Sequence, residues 1–310
     1  MNSTLSPWNE LPARLLRSVG VYRHGIASLR QVDDQALRQY TDWLSRGMHA
    51  GMDYLERYPD IRRDPRMLLD GATTVISCAF PYFTPISRTH GTANIALYAL
   101  GTDYHEVVRN RLEQAAEAIR DTFGGQTRVC VDTAPLRERY WALHSGLGFI
   151  GTNNHLIIPG AGSYFFLGEI LTTAPFRPTP PLPVTDCGRC GRCVRACPTG
   201  AITPGGSVDA RKCLSYLTIE HRGDFPEGTD LHGCLYGCDR CAQVCPHNAH
   251  PPHTDIPELM PRPELLALTP SDILAMDAAA FARTFRHSAI KRAKLSGMQR
   301  NAKAILHHKG

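Results

Sequence analysis

The sequence lacks the features of a membrane-spanning or exported protein. No run of about eighteen apolar residues occurs among its 310 residues, so no bilayer-spanning helix is expected. The opening segment, MNSTLSPWNELPARLL, has neither a basic stretch followed by an apolar one nor a twin-arginine pair, so no secretory leader is expected. The sequence therefore predicts a cytoplasmic protein, for which we take the monomer as the default.

A fingerprint for nucleotide cofactors is missing as well. No G-x-G-x-x-G follows a predicted strand, and that pattern is the one with which a glycine-rich turn and a helix N-terminus bind the pyrophosphate of NAD or FAD. Any redox chemistry must therefore use another cofactor.

Acidic side chains are missing from the end of the chain. Residues 281–310 carry eight Lys or Arg, three His and no Asp or Glu, although the net charge of the whole chain is only +5. Such a segment fits a phosphate backbone. Charge alone leaves the other interpretation open, a solvated helix face.

Periodicity and turn residues predict mixed α and β structure up to about residue 175. Helices are predicted for DDQALRQYTDWLSRG, for the later part of NIALYALGTDYHEVVRNRLEQAAEAIRDTFGG and for PLRERYWALHSGLG. Strands are predicted for TTVISCAF, TRVCVD, NHLIIP and YFFLGEILTT. The segment APFRPTPPLPVTD has five prolines in thirteen residues and marks a boundary. We expect an α/β (α+β) domain over 1–178, a cysteine-rich domain over 179–252 and a basic helical segment over 253–310.

Cysteine is concentrated in one region. Nine of the eleven cysteines lie between Cys187 and Cys245. The other two, Cys78 and Cys130, lie in apolar runs and are interpreted as small buried side chains. Because structural disulfides are rare in the cytosol, the clustering favours ligation of a metal or an iron–sulfur cluster.

The spacing of these cysteines matches that of two-cluster bacterial ferredoxins. CGRCGRCVRACP has the run C-x2-C-x2-C-x3-C-P, in which the fourth thiolate binds the other cluster. A second half, CDRCAQVCP, follows, but Leu235 stands where its first cysteine is expected. The first [4Fe–4S] cluster would have Cys187, Cys190, Cys193 and Cys245. The second would have Cys197, Cys238, Cys241 and either Cys213 or Cys234. A structural zinc site built from C-x2-C pairs is the alternative.

Segments along nearly the whole chain resemble the epoxyqueuosine reductases. They include MDYLERYP, VDTAPLRERYWALHSGLGFIGTN, KCLSYLTIEHRG, YGCDRCAQVCP and SAIKRAKLSGMQRNAKAIL. The resemblance implies a cobalamin-binding α/β domain fused to a ferredoxin-like domain with two [4Fe–4S] clusters and a helical C-terminal tail, in the short form of the family. It implies reduction of epoxyqueuosine to queuosine at the wobble position of tRNA, with electrons from an external low-potential donor and cobalamin resting as cob(II)alamin. Whether cobalt attacks carbon or transfers electrons stays open.

The resemblance also assigns roles to residues. It places Cys213 on the second cluster and implies that Asp132 donates a proton to the departing oxygen. A carboxylic acid kept neutral by an apolar pocket can do this, whereas an aspartate that caps the helix near Pro135 is the alternative. The cofactor-binding residues that it implies are Arg57, Asp132, Leu156, Leu167, Ser215, Arg222, Cys238 and Asp239. GTDYHEVV has Val108 where a corrinoid-binding D-x-H-x-x-G motif has glycine, so Tyr104 and His105 are interpreted as packing or substrate-side residues.

The basic tail is the predicted contact with tRNA phosphates. The side chains proposed for it are Arg286, Lys291, Arg292, Lys294 and Arg300. Two positions depart from the family pattern, because Leu97 and Thr152 stand where relatives usually have arginine and lysine. Two other functions remain alternatives: a reductive dehalogenase-like enzyme with a small substrate, and a non-catalytic ferredoxin-type electron carrier.

Overall fold

The structure is a computed structural model that describes residues 9–87, 91–183 and 186–307. The first eight residues, on which the expectation about a leader partly rests, lie outside the described residues. So do residues 184–185 of the proline-rich boundary and the last three residues of the tail. Within the described ranges, no helix is both long and apolar enough to cross a bilayer.

The described strands of the fold are β1 (Arg23–Ser28), β2 (Thr74–Pro81), β3 (Asn94–Ile95), β4 (Thr127–Cys130), β5 (Phe149–Ile150), β6 (Leu156–Ile157), β7 (Phe165–Thr172) and β8 (Cys234–Tyr236). Four of them form the central sheet, in the order β1-β2-β7-β4, and every neighbouring pair is antiparallel. The predicted strands β2, β4 and β7 are confirmed, NHLIIP contributes only the two residues of β6, and β1 was not predicted. Because the sheet is antiparallel, the domain is of the α+β kind.

The described residues form twelve α-helices. They are α1 (Ala13–Arg17), α2 (Asp34–Ser45), α3 (Pro59–Arg63), α4 (Tyr104–Phe123), α5 (Glu138–His144), α6 (Arg192–Ala196), α7 (Leu214–Ile219), α8 (Arg240–Gln243), α9 (Pro263–Leu266), α10 (Pro270–Ala275), α11 (Ala278–Thr284) and α12 (Lys294–His307). The helices predicted from periodicity correspond to α2, α4 and α5. The tail is helical as predicted, but it comprises four helices.

The sheet is buried on both faces, because α4 covers one face and α5 the other. All eight residues of β2 are buried. On one face Leu112 and Ile119 of α4 pack in a cluster with Ile76 and Ile170, and on the other Trp141 of α5 packs in a cluster with strand residues. The start of helix α4 lies close to the end of strand β4, because His105 contacts Asp132.

Two three-residue turns connect β4 to α5. The Thr133 N–H donates to the Val131 carbonyl, and the Leu136 N–H donates to the Ala134 carbonyl. This path places Asp132 at a φ of +48°, in the left-handed region that residues other than glycine rarely adopt. Helix α5 consequently begins at Glu138, three residues after the proline that was expected to open it.

The C-terminal helices share a core with the cysteine-rich region. Strand β3 pairs in parallel with β8, and one apolar cluster includes residues of 93–100, α7, β8 and α10 to α12. Asn301 of α12 is fully buried, and its amide donates to the carbonyls of Thr218 and Leu235. The division at 178 and 252 stays a prediction.

Candidate active site and cysteine centres

Asp132 forms a close pair with a histidine from α4. The Nε2 atom of His105 lies 2.9 Å from Oδ2 of Asp132, and Nδ1 of the same ring lies 2.7 Å from Oδ1 of Asp103. Asp103 is the N-cap of α4, and His105 lies in the first turn of that helix. The backbone of α4 thus fixes the His105 ring between the carboxylates of Asp103 and Asp132. The expectation that His105 serves packing or the substrate side was thus incomplete, because its ring directly contacts the predicted proton donor.

The charges of this cluster differ from the expectation of a neutral Asp132. Partial burial would raise the pKa of Asp132, but the hydrogen bond and the charge of His105 lower it overall. Burial would also lower the pKa of His105, yet hydrogen bonds to Asp103 and Asp132 raise it to about 9. At neutral pH the proton therefore resides on His105, and the Asp132 side chain, 54% exposed, is a carboxylate.

The helix-capping alternative for Asp132 is wrong. The N-cap of α5 is Arg137, which makes no side-chain cap, and the Asp132 carboxylate faces His105. The contact between Asp132 and α5 runs the other way, because Oε1 of Glu138 accepts a hydrogen bond from the Asp132 N–H. Glu138 therefore holds the strained turn in place.

A second carboxyl group lies behind Glu138, inside the sheet. Glu169 of β7 is fully buried, and its carboxyl group forms a side-chain hydrogen bond with Ser77. Burial, followed by the charge of Asp132, raises the pKa of Glu138 to about 8. Burial, followed by the charge of Glu138, raises the pKa of Glu169 well above its usual range. Two carboxyl groups with raised pKa values therefore stand on the inner side of Asp132.

An aromatic and ionic rim lies on the outer side of the same site. Arg292 forms an ion pair with Glu220 at 2.9 Å, and its guanidinium lies 5.6 Å from the centre of the Tyr54 ring. Burial, and then the charges of Glu220 and Asp132, raise the pKa of Tyr54 to about 12. Because the charge of Asp132 acts on Tyr54 and that of Arg292 acts on Asp132, these side chains border one site.

The first predicted set of cluster ligands comes together around one cavity. Its cysteines are Cys187, Cys190, Cys193 and Cys245. Backbone N–H groups point at the sulfurs: that of Thr152 lies 3.4 Å from Cys187 Sγ, and that of Val194 bonds the Cys193 sulfur. Asn153 lines the same cavity, and its buried Nδ2 has no partner within the described residues. Such donors stabilise thiolates and the sulfides of a cluster.

The second set gathers residues from three segments. Cys213 interacts electrostatically with both Cys197 and Cys238, and Cys241 interacts with Cys238 and Cys213. Cys234 is fully buried in β8, and its thiol bonds that of Cys238. Cys213 and Cys234, the two candidates for the last ligand, are therefore both near Cys238. Only Cys213 is also near Cys197 among these contacts, which favours Cys213 as the ligand of the second cluster.

The arrangement of the cysteines argues against a zinc site. In a tetrahedral zinc site all four ligands lie about 2.0–2.3 Å from one ion. No three His, Cys, Asp or Glu side chains of the described ranges stand close enough to hold a single metal ion. A four-iron cluster is larger and holds its thiolates further apart, so the donor set fits such clusters better.

The predicted cofactor-binding residues lie on several different elements of the fold. Leu156 of β6 and the partly exposed Leu167 of β7 belong to one apolar cluster, while Ser215 lies on α7. Oδ2 of Asp239 accepts a 2.7 Å hydrogen bond from the Leu97 N–H. The Leu97 side chain, at a position where relatives usually have arginine, is buried in the apolar core.

The two predicted arginines use their atoms for the fold. Arg57 offers its carbonyl to Arg62. Arg222 donates to the carbonyls of Ile219, His221 and Arg292. Arg222 thereby positions the segment that carries Arg292.

The predicted phosphate contacts differ in how free they are. Arg286, Lys291 and Lys294 are exposed, whereas Arg292 is paired with Glu220. Arg300 donates to the carbonyls of Leu217, His221 and Gly223 and lies 4.1 Å from the Phe225 ring centre. The contact of Arg300 with phosphate stays a prediction, and in this structure its guanidinium is engaged with backbone carbonyls.

Four residues of the site were not predicted as functional: Asp103, Glu138, Glu169 and Tyr54. Asp103 has a visible signal, since D-x-H at a helix start places an N-cap acid beside the first-turn histidine. Glu169 also has a visible signal, because a single acidic residue within the apolar run FFLGEILT is expected to be buried. No local pattern reveals that Glu138 and Tyr54 approach Asp132.

Two family models match the chain. Residues 186–248 match a 4Fe-4S double cluster binding domain, and residues 62–133 match a model described as "Epoxyqueuosine reductase QueG, DUF1730". An epoxyqueuosine reductase of Cellulophaga algicola is 38% identical over 288 residues, covering 91% of this chain and 93% of the relative. One of Gloeobacter violaceus is 38% identical over 299 residues, covering 94% and 93%.

Solved structures resemble the fold over the same extent. A crystal structure of epoxyqueuosine reductase with an epoxyqueuosine-modified tRNA-Tyr stem loop matches with a TM-score of 0.89 at 30% identity, covering 95% of this chain and 80% of that one. The Bacillus subtilis enzyme, solved with its catalytic aspartate loop swung out of the active site, matches with a TM-score of 0.87 at 29% identity and the same coverage.

Proposed function

The chain belongs to the epoxyqueuosine reductase family, and from this premise we propose that it reduces epoxyqueuosine to queuosine at the wobble position of tRNA. The observation that carries the proposal is the Asp132–His105 pair, a proton source within one fold with two sets of cysteines suited to iron–sulfur clusters. Enzymes of this family depend on cobalamin and on [4Fe–4S] clusters.

The side chains proposed for these cofactors have suitable chemistry. Cys187, Cys190, Cys193 and Cys245 would hold the first cluster, and Cys197, Cys213, Cys238 and Cys241 the second. Leu156, Leu167, Ser215 and Asp239 are the proposed surroundings of cobalamin. When bound, the clusters and cobalamin supply the two electrons that the epoxide consumes.

The protein side of the reaction is the supply of protons. Conversion of an epoxide to an alkene breaks both carbon–oxygen bonds, consumes two electrons and two protons, and releases the oxygen as water. Oδ2 of Asp132 receives one proton from Nε2 of His105 and donates it to the departing oxygen, and solvent supplies the second proton that completes the water molecule. The carboxylate of Asp103, 2.7 Å from Nδ1 of His105, holds the imidazole ring in the required orientation.

The same transfer explains why Asp132 need not be neutral at rest. Its carboxylate is exposed on one side, where a bound nucleoside would exclude water and weaken the stabilisation of the charge. Under those conditions the proton moves from the imidazolium towards Asp132. The proton donor is thus assembled when the substrate covers the site.

The exposed cations of the C-terminal segment are the proposed contacts of the tRNA backbone. Arg286, Lys291 and Lys294 are free to reach phosphates. The segment is attached to the active site, because the Asp103 N–H donates to the His287 carbonyl and His287 Nδ1 lies 3.0 Å from Glu106. Phosphates held there would place the wobble base, splayed out of its loop, near Asp132.

We place the protein in the cytoplasm, because tRNA is its substrate and cytoplasmic thiols stay available to bind iron. We retain the three predicted parts, 1–178, 179–252 and 253–310, as the cobalamin, ferredoxin-like and basic units. A low-potential external donor completes the electron path.

The decisive experiment measures the reaction itself. Anaerobically reconstituted protein is mixed with a strong reductant and tRNA that carries epoxyqueuosine, with and without cobalamin, and queuosine is quantified by nucleoside mass spectrometry. We expect queuosine only with cobalamin and far less with Asp132→Asn. Protein with intact clusters and bound corrinoid that forms no queuosine would contradict the proposal and favour the dehalogenase-like alternative. Unaltered product with Asp132→Asn would remove the assigned proton donor.

A further inference from the structure

Tyr58 presents an aromatic ring to solvent on a strained backbone. It is the most exposed large apolar side chain of the described residues, at 61%. Its φ of +58° is in the left-handed region, which costs a residue with a Cβ atom free energy and persists only where the surrounding structure enforces it. An aromatic ring in this exposed position contributes little to the stability of the fold, so it is available to a partner outside the chain.

The segment that carries Tyr58 is held rigidly. Arg62 donates from Nε to the carbonyl of Arg57 at 2.9 Å and from Nη2 to the carbonyl of Tyr54 at 3.0 Å. Its backbone N–H donates to the Tyr58 carbonyl, which starts α3. One arginine thus holds three carbonyls of the loop, those of Tyr54, Arg57 and Tyr58. A preformed surface loses less conformational entropy when a ligand binds.

The same segment reaches the active site. Tyr54 lies under Arg292 and within the field of Asp132. Tyr58 follows four residues later, so it lies within about 14 Å of Tyr54 along the chain. One face of the Tyr54 ring is covered by Arg292, whereas the Tyr58 ring is 61% exposed. A nucleotide next to the one that enters the site can reach this ring.

We propose that Tyr58 is a stacking platform for an unpaired base of the anticodon loop, adjacent to the modified nucleotide. Single-stranded RNA is recognised through splayed bases that stack on aromatic side chains, with cations along the backbone. Exposed Arg57 precedes the ring, and Lys291 and Lys294 flank Arg292 across the site, which supplies both elements. The inference rests on the proposed tRNA substrate.

The test separates the ring from the backbone. Tyr58→Phe keeps the ring, and Tyr58→Asn removes it while keeping a residue that tolerates the left-handed region. Met67→Ala is a control, because Met67 is 59% exposed and lies nine residues further on. Affinity for an epoxyqueuosine-containing stem loop is measured by fluorescence anisotropy on the cofactor-loaded protein. We expect about tenfold weaker binding for Tyr58→Asn and unchanged binding for Tyr58→Phe and Met67→Ala.

A stem loop with an abasic site beside the modified nucleotide identifies the partner of the ring. If Tyr58 stacks on that base, the abasic loop and Tyr58→Asn together weaken binding no more than either does alone. Equal affinity of Tyr58→Asn and the unaltered protein would overturn the inference. Equal affinity with slower reduction by a protein donor would assign the ring to docking of that donor. If the unaltered protein converts no tRNA at all, the proposed function fails, which is a separate result.

Discussion

His105 and Asp132 share one short hydrogen bond, with Nε2 of the imidazole 2.9 Å from Oδ2 of the carboxylate. Because Asp103 holds the opposite nitrogen at 2.7 Å, the ring is fixed between two acids and retains its proton at neutral pH. The pair therefore stores the proton that an epoxide oxygen needs in order to leave. It also makes the reaction depend on the titration of a histidine.

The rate of a single turnover is expected to fall as the pH rises through about 9, where His105 loses its proton. The sign follows from the raised pKa: the imidazolium is complete at neutral pH and is lost only on the alkaline side. His105→Gln, which keeps a hydrogen-bonding side chain but no transferable proton, should slow the step by about 10²–10⁴-fold and flatten this alkaline limb. Rapid-quench measurements from pH 6 to 10 check both effects.

Asp103→Asn provides the control for that prediction. It removes one of the two carboxylates that raise the pKa of His105, so the alkaline limb should move to lower pH while the rate at low pH changes little. A profile that stays in place in Asp103→Asn and in His105→Gln would mean that another group supplies the proton. A purely structural role of His105 would reduce the rate without moving the limb.

Cys213 is expected to be a cluster ligand and Cys234 a free thiol. Cys213→Ala should lose about half of the bound iron and sulfide, because one of two four-iron clusters then lacks a ligand. Cys234→Ala removes a buried sulfur that bonds Asn94, Cys238 and Arg240, and it should keep all the iron. Iron and sulfide analysis of both variants, with electron paramagnetic resonance after reduction, decides the assignment. The reverse pattern would place Cys234 on the second cluster.

The residues that were predictable from the sequence are those whose chemistry is written in local spacing. The C-x2-C runs indicated the cluster ligands, and the apolar periodicity of HEVVRNRLEQAAEAI indicated α4. The charge state of Asp132 was not predictable, because its partner lies 27 residues earlier and is brought to it by the packing of α4 against the sheet. The expected apolar pocket neglected that partner. Likewise, Arg300 has the sequence context of a phosphate contact, and only the fold shows its guanidinium bonded to carbonyls.

Lys291 and Lys294 are expected to contribute to the salt dependence of tRNA binding. Each phosphate contact on a single strand contributes about 0.7 to the slope of log K against log salt. Lys291→Ala combined with Lys294→Ala should therefore lower the slope by about 1.4 and weaken binding most at low salt. Filter binding of the stem loop between low and moderate salt measures this slope.

Arg300→Ala is the contrasting variant for the salt experiment. Since Arg300 bonds three backbone carbonyls and packs on Phe225, its loss should lower the melting temperature and leave the slope unchanged. If Arg300→Ala changed the slope as much as the double lysine variant, the guanidinium would have to leave these carbonyls when tRNA binds.

Glu169 is expected to make the stability of the protein depend on pH. Its raised pKa, caused by burial, means that the folded state binds a proton that the unfolded chain releases above its ordinary pKa of about 4.3. This contribution to the free energy of unfolding is complete at low pH and declines by about 1.4 kcal/mol per pH unit as the pH rises towards the folded-state value. Glu169→Gln, neutral and of the same shape, should remove the decline. The stability of the variant relative to that of the unaltered protein should therefore increase between pH 5.5 and 8.5.

Urea denaturation of the cofactor-loaded protein at both pH values tests this prediction, with Glu113→Gln on the exposed face of α4 as the control. A variant that is destabilised equally at both values would show that Glu169 is ionised and paired in the folded protein.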